Sequence, residues 1–161
     1  MSKVYIAADH AGFALKGLML EYLSELGHEA EDLGAFDFSA EDDYPDIMMP
    51  LAKRVASEEH AFGIAIGGSG QGEMMCANRV SGARTALFYG PRAAVAPLEQ
   101  GGGDSQDAYD IIRLPREHND ANVLSLAARF ISADEAKQAV KIFLETPFSA
   151  GLRHLRRLAK F

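Results

Sequence analysis

Phe62-Gly63-Ile64-Ala65-Ile66-Gly67-Gly68-Ser69-Gly70-Gln71-Gly72-Glu73 begins with an apolar run and ends in four glycines within six positions. A short apolar run bounded by turn residues reads as a buried strand. The glycines form the turn, and Glu73 opens a helix expected to reach about Arg79. Strand, glycine turn and helix is the repeating step of a parallel sheet. Toward the N-terminus, Lys3–Ala8 reads as a buried strand. Leu15, Leu18, Met19, Tyr22, Leu23 and Leu26 then mark one helical face that Gly27 ends. Glu29–Leu33 is a weaker strand closed by Gly34, and an acidic loop runs to Asp43. A helix from Pro45 to about Ser57 turns Ile47, Met48, Leu51 and Val55 inward, with Pro50 expected to kink it or delay its start.

Toward the C-terminus, Arg84–Phe88 reads as a strand and Pro91–Glu99 as a short helix. Gln100–Arg116, with Gly101-Gly102-Gly103, reads as a long loop or insertion. Asn122–Leu126 resumes as a strand. Ser132-Ala133-Asp134-Glu135 has the spacing of a capping box, with Ala136, Val140, Phe143 and Leu144 on the apolar side of the helix behind it. Pro147 stops that helix. Leu152, Leu155 and Leu158 keep register in a basic tail, 152–161, expected to be a short docked helix. The rhythm predicts one α/β domain over 1–161, a three-layer α/β/α sandwich around a parallel sheet of about five strands. Ligands of such folds sit where strands end and helices begin.

Composition sets the partners. The chain has 161 residues, 48% hydrophobic and 24% charged, enough to build a core. No apolar run approaches the roughly 18–20 residues of a membrane helix. The N-terminal run is too short for a signal-peptide core, and the single cysteine, Cys76, makes no intramolecular disulfide. The expected location is the cytoplasm. A net charge of −7 speaks against nucleic acid. Eight acids and no Lys or Arg lie between Glu29 and Asp46, whereas Ser149–Phe161 holds four bases and no acid. Clustered arginines on an acidic protein suit a small anion better than a polyanion.

The glycine turn is either a tight turn alone or a nest of N–H groups for a phosphate or an oxyanion. It is no Walker loop, because Gly72 is followed by Glu73-Met74, and no dinucleotide fingerprint, because Gly68-x-Gly70-x-Gly72 follows the third strand. Glu73 is either a favourable charge in a first helical turn or a general base beside that nest. Asp9-His10 ends the first strand, where a helix-capping role is the plain alternative to a ligand role. His118 precedes Asn119-Asp120 in what reads as a loop, and His28 and His60 fall in polar turns. Arg129, Arg153, Arg156 and Arg157 are anion candidates, against the alternative of a solvated tail. Met74, Met75 and Cys76 read as core fillers. Metal-ligand spacings are missing, and the acidic loop lacks the order of a calcium site.

Six stretches occur in one order: Ala8-Asp9-His10-Ala11-Gly12, Asp43-Tyr44-Pro45, Gly67 to Glu73, Ala77-Asn78-Arg79, Gly82-Ala83-Arg84, and Arg116-Glu117-His118-Asn119-Asp120-Ala121-Asn122. Together they resemble the type B ribose-5-phosphate isomerase family, which includes galactose- and allose-6-phosphate isomerases. The resemblance runs from about Lys3 to Arg157, interrupted around Gln100–Arg116. It implies a Rossmann-like domain working as a homodimer, with pairing of dimers into a tetramer left open, each site completed by the partner and no metal or organic cofactor. Glu73 matches the base of a subgroup using glutamate there; the other subgroup has a cysteine at the position of Gly67. Ser69 matches a hydroxyl that handles protons on O1 and O2. The backbone N–H groups of Gly70 to Glu73 match the enediolate cradle, and Gly68, Gly70 and Gly72 match substrate-binding positions of the turn. His118 matches the ring opener, and Asp9 a contact to sugar oxygens. His10, Arg129, Arg153 and Arg157 match phosphate contacts, and Tyr44 and Asn119 further substrate contacts.

The reading is therefore an aldose–ketose isomerase of ribose 5-phosphate and ribulose 5-phosphate. Another sugar phosphate (erythrulose 4-phosphate, allose or galactose 6-phosphate), a non-catalytic sugar-phosphate sensor and a nucleotide-binding flavodoxin-like module are the alternatives. The interruption before His118 departs from the family pattern and stands as an inert loop, a dimer contact or a lid.

Overall fold

The computed structural model describes residues 2–98 and 105–161. Five strands, β1 (Lys3–Ala8), β2 (Glu29–Asp32), β3 (Phe62–Gly67), β4 (Thr85–Phe88) and β5 (Val123–Ala127), form one sheet in the order β2-β1-β3-β5-β4. Every pairing is parallel, with Ile6 opposite Ile64 and Ile64 opposite Leu124 in the centre. Six helices intervene or follow: α1 (Phe13–Glu25), α2 (Tyr44–Ala56), α3 (Gln71–Ala77), α4 (Asp110–Asn119), α5 (Ala133–Glu145) and α6 (Leu152–Leu158).

Strand side chains alternate between faces, and both faces are apolar because both are covered. Val4, Ile6, Ile64, Ile66, Leu124 and Leu126 pack with Met19 and Leu23 of α1, Ile112 of α4 and Val140 and Phe143 of α5. Tyr5, Ala7, Ala65 and Val123 pack beneath Met48, Leu51 and Val55 of α2. This is the expected α/β architecture, Rossmann-like, with helices on both sides of a parallel sheet.

Local chemistry explains the element ends. The Ser132 hydroxyl accepts from the Glu135 N–H while the Glu135 carboxylate accepts from the Ser132 N–H, the reciprocal cap read from spacing. Asp43 stands at the N-cap of α2, and Pro45 sits in its first turn, where a missing N–H costs nothing. Pro50 neither breaks that helix nor delays its start. Lys16 is 4% exposed, and its ammonium donates to both Asp32 oxygens at 2.8 Å and to the Ala35 carbonyl at 2.6 Å. This pair ties α1 to the chain leaving β2, and so anchors the acidic loop.

Several expectations are corrected. Residues 91–98 form no helix, and Arg92 instead donates its N–H to the Ala108 carbonyl. The expected loop over 100–116 ends at Asp110, where α4 begins; 100–104 lie outside the described residues. Ile112 of α4 is fully buried, and that burial outweighs the low helix preference of Pro115. His118 accordingly sits in the last helical turn and not in a loop. In α6 the docked side chain is His154, whereas Leu152 and Leu155 are exposed; Met75 of α3 is exposed as well.

Candidate active site

The strand order reverses between β1 and β3: β1 leads outward to β2, and β3 leads toward β5 and β4. A crevice opens at the carboxyl ends of such a pair. Asp9 follows β1 directly, Gly67 ends β3, and Arg129 follows β5.

These groups are close together. A Cβ on Gly67 would stand 2.1–2.6 Å from the Glu73 carboxyl atoms, and one on Gly68 would stand 2.9 Å from the Arg129 guanidinium. A Cβ on Gly72 would stand 2.8 Å from the Tyr44 ring. Gly70 has φ of 70°, which favours glycine, and its carbonyl accepts from the buried Ser125 hydroxyl at 2.7 Å. The Ser69 hydroxyl accepts from the Gln71 N–H at 3.3 Å, capping the turn before α3. The Asp9 carboxylate accepts from the Ala11 and Gly12 N–H groups. Asp9 thus braces the turn before α1 without capping the helix itself, whose N-cap is Gly12, and the same residue also faces Glu73.

Glu73 is 4% exposed, and its Oε2 is buried with no hydrogen-bond donor among the described residues. Burial pushes its pKa above the usual 4.5. The Asp9 charge and hydrogen bond push the same way, while its own N–H and Arg129 act against them. A carboxylate poised this way is a better base than an exposed one. The His10 Nδ1 lies 2.6 Å from Asp42 Oδ1, and that bond holds its pKa above 6.5. Asp9, His10 and Asp42 bring candidate ligand atoms within 4.8 Å of one another.

The other candidates stand elsewhere. His118 and Asn119 end α4 just before β5, at the amino edge of the sheet, with β5 lying between them and the Glu73 edge. A five-residue strand spans roughly 16 Å. His118 stacks on His154 of α6 at 4.2 Å between ring centroids, and the Arg153 Nε lies 3.2 Å from the His154 Nε2. Arg153 and Arg157 are exposed on α6. The chain thus divides its candidate residues into two groups. Asp9, His10, Tyr44, Gly68, Ser69, Gly70, Gly72, Glu73 and Arg129 gather at the carboxyl edge. His118, Asn119, Arg153 and Arg157 belong to the α4–α6 end.

Sequence reading missed Asp42 and His154. Asp42 was hidden among like charges in the acidic loop. His154 is the one residue of a basic tail whose side chain loses charge easily, which suits it to burial.

A family model described as Ribose/Galactose Isomerase matches residues 4–100 and 106–161. The chain belongs to this family. The match resumes at residue 106, so α4 lies within it and the interruption narrows to residues 101–105. The chain is 38% identical over 156 residues to ribose-5-phosphate isomerase B of Mycobacterium tuberculosis, covering 97% of this chain and 85% of that one. Among solved structures it resembles ribose-5-phosphate isomerase B from Mycoplasma genitalium with bound ribulose-5-phosphate. That pair has a TM-score of 0.83 and 34% identity, over 98% of this chain and 92% of that chain. The Thermotoga maritima ribose 5-phosphate isomerase superposes with a TM-score of 0.82 at 39% identity, covering 99% and 96% of the two chains. Among the described residues, no helix is long and apolar enough to cross a membrane.

Proposed function

We propose that this protein is an aldose–ketose isomerase that interconverts ribose 5-phosphate and ribulose 5-phosphate. The observation that carries the reading is Glu73, buried with an undonated oxygen and a raised pKa, beside the glycine turn of a chain in this family. Glu73 removes the proton from C2 of the open-chain sugar and returns it to C1. N–H groups of Gly70 to Glu73 stabilise the enediolate, and the Ser69 hydroxyl carries protons on O1 and O2. Asp9 orients sugar oxygens, and Tyr44 and Asn119 flank the substrate. His10, Arg129, Arg153 and Arg157 hold the phosphate, which fixes the reacting carbons against Glu73. His118 moves the proton that opens the furanose ring. No metal or organic cofactor enters these steps.

The glutamate role has a steric argument. Because a Cβ at residue 67 would occupy the place of the Glu73 carboxyl, a side chain there and this position of Glu73 exclude each other. Gly67→Ala is expected to displace Glu73 and lower kcat about 100-fold while KM changes much less. Steady-state kinetics check this; an unchanged kcat would take the base role away from Glu73.

The active unit we propose is a homodimer with shared sites. The division of the candidate residues between opposite edges of the sheet supports it. So does the cleft of about 940 Å³ that Leu155, Leu158 and Phe161 line against Met74 and Leu87, beside the exposed Leu152. Exposed apolar surface of this kind suits contact with a second copy.

Proton NMR in D₂O with four-, five- and six-carbon aldose phosphates tests the function. Ribose 5-phosphate is expected to convert fastest, with deuterium entering at the carbon next to the carbonyl. Preference for another sugar would move the substrate within the class. Binding with neither conversion nor exchange would make the protein a sensor.

A further inference from the structure

The acidic loop after β2 delivers one carboxylate into the site. Asp42 lies on that loop, where its N–H donates to the Ser39 carbonyl, and the Lys16–Asp32–Ala35 contacts anchor the loop root. Its side chain is 11% exposed, and Oδ1 lies 2.6 Å from the His10 Nδ1. That distance is typical of a charge-assisted hydrogen bond. An imidazole held through Nδ1 has one polar atom left, Nε2, and a carboxylate on Nδ1 keeps a proton there. The charged groups facing His10 are Asp42 from the loop, Asp9 from the end of β1 and Arg129 from the end of β5. Asp9 Oδ1 is already taken by two backbone N–H groups, and the His10 Nδ1 by Asp42. The three residues therefore read as a hydrogen-bonded support for the ring, not as a cation cage.

We propose that Asp42 is a positioning residue: it fixes the His10 ring through Nδ1, so that Nε2–H is presented as a donor to the phosphate end of the substrate. The proposal rests on the isomerase reading above, in which His10 contacts phosphate. It assigns work to a loop residue that neither its burial in a core nor a role in the fold requires.

Asp42→Asn keeps the shape and removes the charge. It is expected to raise KM for ribose 5-phosphate, and the inhibition constant of inorganic phosphate, about tenfold at neutral pH, with kcat within about threefold of wild type. The deficit narrows at acid pH. The Asp42 hydrogen bond raises the His10 pKa, so the wild type holds more of the imidazolium than Asp42→Asn near neutrality, and that difference closes as pH falls. The imidazole titration of His10, followed by NMR, shifts to lower pH in Asp42→Asn, and Asp42→Glu recovers part of the affinity. Unchanged KM with an unchanged His10 titration would overturn the proposal, and so would a fall in kcat with KM intact. If Asp42→Asn does not fold, a wild-type His10 midpoint below the ordinary 6.5 would overturn it alone. If wild type turns over no sugar phosphate, the function proposed above fails. Phosphate affinity and the His10 titration then still decide whether Asp42 positions the ring.

Discussion

Glu73→Gln is expected to abolish turnover and at the same time to stabilise the fold. The side chain keeps its shape, so phosphate-ligand binding should stay within about twofold of wild type, while kcat falls about 10³-fold or more for loss of a general base. The stability gain follows from linkage. Burial, reinforced by Asp9, raises the Glu73 pKa in the folded chain above the ordinary 4.5 of the unfolded one. The ionised form is thus disfavoured by folding. That penalty is absent below the unfolded value, grows as pH rises, and is complete above the folded value. Glutamine carries no such penalty. At neutral pH the variant should melt about 2–4 °C higher for each kcal/mol relieved, and below about pH 4 the two proteins should converge. The same raised pKa sets the acid limb of wild-type kcat/KM above the range of an exposed carboxylate. Calorimetry and pH–rate profiles measure both. A variant that turns over at near-normal rate would remove Glu73 from the chemistry. A variant that melts lower at neutral pH would mean that its carboxylate is stabilised by contacts rather than strained by burial.

The sheet was legible because its strands are short apolar runs set off by glycine turns, and both faces of a parallel sheet demand such runs. Glu29-Ala30-Glu31-Asp32 was the faint one, since an edge strand needs little burial. The carboxyl-edge residues were legible for a related reason. Asp9, Gly67 to Glu73 and Arg129 all follow strands, and strand ends are visible in sequence. The failures share a different cause. Helix α4 was read as loop because its start is polar: Arg113 pairs with Asp110 in the first turn at 2.9 Å and with Asp107 just before the helix at 2.6 Å, which periodicity does not register. The leucine register of α6 was read correctly as a helix docked on something, but hydrophobic spacing says that a face is covered and not which molecule covers it. The Asp42–His10 bond joins residues 32 apart, and no local pattern encodes it.

Those exposed leucines bear on the second large effect, which concerns where one site ends and another begins. Glu73 follows the carboxyl end of β3 and His118 precedes the amino end of β5, so the length of a five-residue strand, roughly 16 Å, lies between them within one chain. If two copies each set the α4–α6 end against the other's carboxyl edge, each site takes Glu73 from one chain and His118 from the other. Glu73→Gln and His118→Asn are then each inactive or nearly so as homodimers. A heterodimer of the two, however, collects both substitutions in one site and leaves the other site with neither. Purified through two different affinity tags, that heterodimer is expected to regain about half of wild-type activity, one intact site of two. A site built within one chain gives the opposite result, since each protomer then carries one defect and the heterodimer is no more active than its parents. Recovery near one half requires that the two edges meet across the interface. Any shielding of the α6 leucines then becomes part of catalysis, because the contact that buries them also delivers His118.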